Sequence, residues 1–161
     1  MQIWPWSKPV TSILIVCTAN VCRSPAAEVF LTAHLKALGV GRRVEVRSAG
    51  TSVASPGMPP DPRVVAYAAS KGLKFRRKGA SRVSDSLMAN ADFVWVMEDV
   101  HRGSILENYP GYADVVSLFD PSGEAVPDPY FRSQADVEST MERLEELAFD
   151  RATFIASETA R

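Results

Sequence analysis

The sequence predicts an α/β fold in which helices cover both faces of a parallel sheet, a three-layer α/β/α arrangement. Three observations carry this prediction. Short apolar or alternating runs recur at 13–16, 44–48, 92–97 and 114–119. Each is followed, directly or after a loop, by a segment with helical periodicity. The first run, Ile-Leu-Ile-Val, is apolar at every position, as expected of a strand buried on both faces. Alternation of this kind calls for right-handed crossovers, with ligands bound outside the carboxyl ends of the strands.

The elements follow in order. Strand 13–16 runs into Cys17-Thr-Ala-Asn-Val-Cys22-Arg23-Ser24-Pro25. Ser24 as N-cap and Pro25 at the first helical position predict a helix start. Ala27, Phe30, Leu31, Leu35 and Leu38 give that helix an apolar stripe, and Gly39 ends it. After the strand at 44–48, residues 49–60 hold Gly50, Pro56, Gly57, Pro59 and Pro60 and form a loop. Asp61 as N-cap and Pro62 open a helix to about Gly72, with Val64, Val65, Ala68 and Ala69 as its buried stripe. Residues 74–82 are basic and irregular, and 84–90 form a short helix. The strand at 92–97 precedes a helix over 99–108, and the strand at 114–119 precedes a proline-rich loop over 120–132. A long helix begins near Ser133, with Val137, Met141, Leu144, Ala148 and Ile155 inward and Glu138, Glu142, Arg143 and Glu145 outward. His34 and His101 read as helix-surface residues.

Composition bounds the function. The 161 residues suffice for one domain with a sizeable core, and we place it at 12–161 behind an N-terminal extension, 1–11, that holds Trp4 and Trp6. A net charge of −1 gives no polybasic surface for nucleic acid. No apolar run approaches a membrane span, and no signal peptide is evident. The two cysteines, Cys17 and Cys22, are too few and too close for a disulfide framework. They favour a reduced, cytoplasmic setting. With no Cys–His cluster, no metal is expected, nor a cofactor.

The loop after the first strand carries the chemistry. A strand-to-helix loop is an anion site, because free N–H groups and the positive helix end converge there. Here it also holds a thiol, Cys17, and a guanidinium, Arg23, which suggests a nucleophile with a phosphate clamp. A thiolate attacks a phosphate monoester directly, and a helix N-terminus and a nearby cation favour the thiolate form. Ser24 can donate its hydroxyl to the Cys17 sulfur. The planar fork of Arg23 can hold two phosphoryl oxygens, and loop N–H groups take the remaining charge. Asn20 suits a loop residue with positive φ.

The leaving group needs a proton, so a second loop should carry an acid. Asp128 in Val126-Pro127-Asp128-Pro129-Tyr130 follows the last strand, is stiffened by proline on both sides, and has Tyr130 as an aromatic wall. Asp120 is the rival acid but lacks an aromatic neighbour beyond its proline. Asp61 is explained as an N-cap.

Residues Cys17 to Pro25, Ser48-Ala-Gly and Asp128-Pro129-Tyr130 together resemble the low-molecular-weight protein-tyrosine phosphatases, from Ile13 to the end of the chain. The resemblance implies a four-stranded parallel sheet of order 2-1-3-4. It implies Cys17 as nucleophile, Arg23 as phosphate clamp and Asp128 as general acid. Thr18, Ala19, Asn20, Val21, Cys22, Ser24 and Tyr130 become substrate-binding positions, and Asn20, Ser24 and Ser48 the hydrogen-bond network that shapes the loop. Cys22 corresponds to a second loop cysteine able to pair reversibly with Cys17 under oxidation. Three departures stand out. Ala19 replaces a usual glycine, a supporting histidine is replaced near 78–82, and 49–60 lacks a bulky aromatic, with Met58 the residue left to fill its place.

The expected enzyme is a cytoplasmic, monomeric phosphotyrosine-protein phosphatase using a phosphocysteine intermediate. The closing motif resembles bacterial members that act on membrane tyrosine autokinases of exopolysaccharide export, which makes such a kinase the expected partner. Three alternatives remain. A protein-arginine phosphatase resembles this chain but carries Thr where Val21 stands. An arsenate reductase would need an external thiol, since no cysteine follows Cys22. A non-catalytic phosphoprotein-binding module would have no use for both Cys17 and Asp128.

Overall fold

A computed structural model describes residues 10–75 and 79–160. Trp4, Trp6 and Lys78 lie outside the described residues. The sheet has four parallel strands in the order β2-β1-β3-β4, as expected. They are β1 (Thr11–Cys17), β2 (Val44–Gly50), β3 (Phe93–Val96) and β4 (Val116–Leu118). The helices are α1 (Arg23–Ala37), α2 (Pro62–Ser70), α3 (Asp85–Asn90), α4 (Asp99–Asn108) and α5 (Gln134–Thr159).

The central strand explains its own composition. β1 pairs with β2 along its length and with β3 over Ile13 to Val16. Alternate side chains of a strand point to opposite faces. Ile13, Ile15 and Cys17 enter the core shared with α1, α2 and α5, while Leu14 and Val16 enter the core shared with Met88 of α3 and Ile105 of α4. A strand with helices on both faces has no position for a polar side chain.

The helix ends follow their sequence signals in most places. Asp61, Ser84 and Ser133 cap α2, α3 and α5, each side chain accepting from a first-turn N–H. Gly39 takes φ 78° just past α1, where a left-handed residue closes a helix at low cost. On α5 all five expected inward residues are buried. Its outward face is less free than expected, because Arg143 binds Asp120 and Glu145 accepts from Tyr67. On α2 only Val64 and Ala68 are buried; Val65 and Ala69 face solvent, because a helix this short offers α5 a narrow stripe. Leu38, beyond the last turn of α1, is exposed as well.

Candidate active site

β1 delivers Cys17 to the carboxyl edge of the sheet, and α1 begins six residues later at Arg23. The expected Ser24 cap is not what the structure shows. Cys22 is the N-cap and makes no side-chain cap bond. Ser24 lies inside the first turn, and its hydroxyl turns to Cys17 Sγ at 2.9 Å. The first-turn N–H groups of α1 therefore carry no side-chain cap, which is the condition in which a helix start binds anions.

Ser24 belongs to a buried polar network. Asn20 Nδ2 donates to Ser24 Oγ at 2.8 Å and to Ser48 Oγ at 3.0 Å. Ser48 Oγ donates to Glu28 Oε2 at 3.3 Å. Asn20 Oδ1 accepts from the Ser81 N–H at 3.0 Å. Asn20, Ser24 and Ser48 thus meet at one place, and Asn20 has φ 58°, the left-handed conformation expected of it. The Ser81 main-chain N–H supplies a donor to Asn20 on the side where a histidine was expected to be missing. Ser24 has one proton and two acceptors, the Ala49 carbonyl at 3.3 Å and Cys17 Sγ at 2.9 Å. Once the sulfur is charged, the shorter contact is the stronger one.

Arg23 is 2% exposed, far deeper than a surface cation. Its Nη1 donates to Glu98 Oε2 at 2.6 Å and to the Val126 carbonyl at 2.9 Å. Its Nη2 reaches Thr18 Oγ1 at 3.3 Å and lies 3.8 Å from Asp128 Oδ2. Its Nε has no partner among the described residues, although it is buried. A buried donor without a partner needs an explanation. The Nε–Nη2 edge of a guanidinium is the one that takes two oxygens of a planar or tetrahedral oxyanion.

Asp128 comes from the loop between β4 and α5, with its side chain 44% exposed and its Oδ1 accepting the Tyr130 N–H at 3.0 Å. The rival, Asp120, accepts from Ser122 and from Arg143. Burial pushes the Asp120 carboxyl up, but those bonds outweigh it and hold the group below the usual range, as a carboxylate. Of the two candidate acids, Asp128 is the one beside the Arg23 guanidinium, on the Nη2 side away from Glu98.

A clamp ties the Asp128 loop to the Cys17 loop. Arg63 Nη2 donates to the Tyr130 carbonyl at 2.7 Å and Nη1 to the Arg132 carbonyl at 3.0 Å. The same guanidinium holds both oxygens of Asp61. Asp61 in turn donates its N–H to the Val21 carbonyl at 2.8 Å and accepts from Cys22 Sγ at 3.5 Å. Burial first, and then the Asp61 carboxylate, push the Cys22 thiol far up and keep it protonated. Val21, Val53 and Ala80 form a small apolar cluster with Ala19 and Tyr130 beside it. Met58, the residue left to fill the place of the missing aromatic, is 40% exposed.

His101 corrects the sequence reading. It is 1% exposed, not a surface residue. It sits in the first turn of α4, where its Nδ1 accepts the Glu98 N–H at 3.0 Å and its Nε2 lies 2.8 Å from Thr18 Oγ1. Burial first, and then Arg23, push the imidazole down to about 4. His34 does stay at the surface of α1, edge-on to Phe149. Sequence reasoning also missed Glu98 and Arg63. Glu98-x-x-His101 directly after a buried strand was a legible signal, since the carboxyl ends of all strands converge on one site. Arg63 carried no signal for its link to the Asp128 loop, because its partners there are main-chain carbonyls.

Fold and site define a class: a doubly wound α/β protein whose first strand ends in an anion-binding loop holding a buried thiol and a buried guanidinium. The chain belongs to the low molecular weight phosphotyrosine protein phosphatase family, whose family model matches residues 12–159. It is 35% identical over 126 residues to the low molecular weight protein-tyrosine-phosphatase Wzb of Escherichia coli K12, covering 76% of this chain and 80% of that one. It is 30% identical over 137 residues to the probable phosphatase EpsP of Ralstonia nicotianae, covering 84% of this chain and 90% of that one. Among solved structures, a YwlE mutant from Bacillus subtilis superposes with a TM-score of 0.83 at 30% identity, covering 90% of this chain and 98% of that one. A further YwlE structure is described as an arginine phosphatase with a phosphorylated active-site serine.

Proposed function

We propose that residues 12–161 form a single phosphatase domain that hydrolyses phosphotyrosine in proteins through a phosphocysteine intermediate. Cys17 Sγ attacks phosphorus in line and the bond from phosphorus to the phenolic oxygen breaks. Asp128 gives that oxygen its proton. A water then attacks the phosphocysteine, Asp128 takes the water's proton, and the sulfur–phosphorus bond breaks to return the thiolate and release phosphate. Arg23 holds two phosphoryl oxygens on its Nε–Nη2 edge, and the amides of Thr18 to Ser24 take the rest of the charge. Ser24 stabilises the sulfur each time it is negative. Asn20, Ser24 and Ser48 keep the loop in shape.

The observation that carries this reading is the buried Arg23 with an unpartnered Nε, on the Cys17 loop and 3.8 Å from the Asp128 carboxylate. The test is Cys17→Ser assayed on an aryl phosphate. Turnover at the wild-type rate by that variant would sink the proposal. Asp128→Asn should lose most activity on phenyl phosphate and less on p-nitrophenyl phosphate, whose leaving group needs little help from an acid.

Protein-arginine phosphatase is the second reading, because the YwlE structures are similar at 30% identity. Val21 supports phosphotyrosine instead: its side chain lies in the apolar cluster beside Tyr130, a surface suited to an aromatic ring and not to a guanidinium. Parallel assays on phosphotyrosine and phosphoarginine peptides separate the two. For the partner we propose a membrane tyrosine autokinase of exopolysaccharide export, met by a cytoplasmic monomer. The similarity to Wzb and EpsP supports this, and dephosphorylation of such a kinase in vitro checks it.

A further inference from the structure

Thr18 is half-buried and joins two groups that the phosphatase chemistry above does not use together. Its Oγ1 lies 2.8 Å from His101 Nε2 and accepts from Arg23 Nη2 at 3.3 Å. The direction of the first bond follows from the far side of the imidazole. The Glu98 N–H is a donor and nothing else, so Nδ1, 3.0 Å away, must accept. A neutral imidazole that accepts at Nδ1 carries its proton on Nε2. Nε2 is therefore the donor to Thr18. With both acceptor sites of Oγ1 taken, the hydroxyl can act only as a donor, and no other bond involves it among the described residues. It sits against Arg23 Nη2, the nitrogen that also neighbours Asp128.

We propose that Thr18 is a substrate-contacting residue whose hydroxyl, fixed as a donor by His101 and Arg23, gives a hydrogen bond to the phosphoryl oxygen held by Arg23 Nη2. Glu98 and His101 are then positioning residues. Glu98 sets the guanidinium through its carboxylate and the imidazole through its main chain. The proposal rests on the phosphatase reading, but it is specific to this hydroxyl and this tautomer.

The test compares Thr18→Val, Thr18→Ser, His101→Ala and His101→Gln in the full chain. The readouts are kcat/KM on p-nitrophenyl phosphate, the inhibition constant of vanadate, and the thermal midpoint. A hydrogen bond to a charged partner predicts that Thr18→Val loses about 10- to 100-fold in kcat/KM. Vanadate binding should weaken in parallel, with little change in the midpoint. Thr18→Ser restores the hydroxyl and should recover most of the loss. His101→Gln keeps one acceptor and one donor and should exceed His101→Ala in kcat/KM. Full activity in Thr18→Val overturns the proposal, and so does an equal loss in Thr18→Val and Thr18→Ser. An inactive wild type with intact folding overturns the phosphatase reading instead, so the two failures are distinct.

Discussion

Arg23 and Glu98 are joined on one side of the guanidinium only. Nη1 meets Oε2 at 2.6 Å, while the Nε on the other side has no partner among the described residues. The carboxylate thus orients the fork and leaves its oxyanion-binding edge available. Glu98→Ala leaves a buried charge without this partner, and a cost of about 1–3 kcal/mol is expected. Urea unfolding measures it. The KM for an aryl phosphate should rise, and Glu98→Gln, which keeps an acceptor oxygen, should show a smaller rise.

Asn20 makes three side-chain hydrogen bonds while holding φ 58°. Asn20→Gly keeps the backbone conformation and removes all three bonds; Asn20→Ala removes the bonds and adds strain. Both should lose kcat. Ala should be less stable than Gly by about 1 kcal/mol, since only Gly adopts the left-handed region freely. Denaturation midpoints of the two variants decide this.

Gly50 is the last residue of β2 and lies against the Cys17 loop. A Cβ there would stand 2.4 Å from the Thr18 carbonyl oxygen and 2.8 Å from Val53 Cγ2. The first is main chain and cannot turn aside. Gly50→Ala should push the loop out of register, destabilise the fold by about 1–3 kcal/mol and abolish most activity. A variant with wild-type kcat/KM would contradict the packing described.

Arg63 holds the Asp128 loop by two carbonyls and the Cys17 loop through Asp61. Arg63→Met should free the acid and leave the nucleophile in place. The expected signature is leaving-group dependence. Turnover of phenyl phosphate falls several-fold more than turnover of p-nitrophenyl phosphate, the pattern of a misplaced acid.

His101 makes stability depend on pH. Burial, then Arg23, hold it at about 4 against an ordinary 6.5, while Glu98 and Asp128 pull the other way less strongly. Between those values the unfolded chain binds one more proton at this site than the folded chain. The contribution is complete above pH 6.5 and is lost as pH falls toward 4. Urea titrations across that window should show a steeper decline in the wild type than in His101→Gln.

The parallel α/β layering, the capped start of α2 and the inward face of α5 were legible because each rests on local chemistry: apolar periodicity, Asp before a helix, proline in loops. The strand order came instead from the family resemblance. The loop from Cys17 to Arg23 was legible because three unlike residues at fixed spacing share one purpose. Ser24 meets the Cys17 sulfur as expected but was misread as the helix cap, for a physical reason. Its hydroxyl had a stronger partner in Cys17 than any helix N–H, so tertiary geometry overrode the capping preference. His101 was misread because a polar side chain on a helix is buried only when partners await it, and those partners, Thr18 and Arg23, lie about 80 residues earlier in the chain. Glu98 and Arg63 act at similar range. Contacts that unite distant loops leave no local periodicity to read.

Cys17 closes the strand that both neighbours in the sheet hold. The carbonyls of Cys17, Thr18, Val21 and Cys22 accept main-chain N–H groups of Thr51, Ser52, Asp61 and Ala26. The nucleophile's loop is therefore not an independent flap but the end of the central strand. Opening it takes apart the middle of the sheet. Residual turnover in a denaturant series should track the folded population itself, and the amides of Thr51, Ser52 and Asp61, which donate to the carbonyls of this loop, should exchange with deuterium as slowly as those of the core.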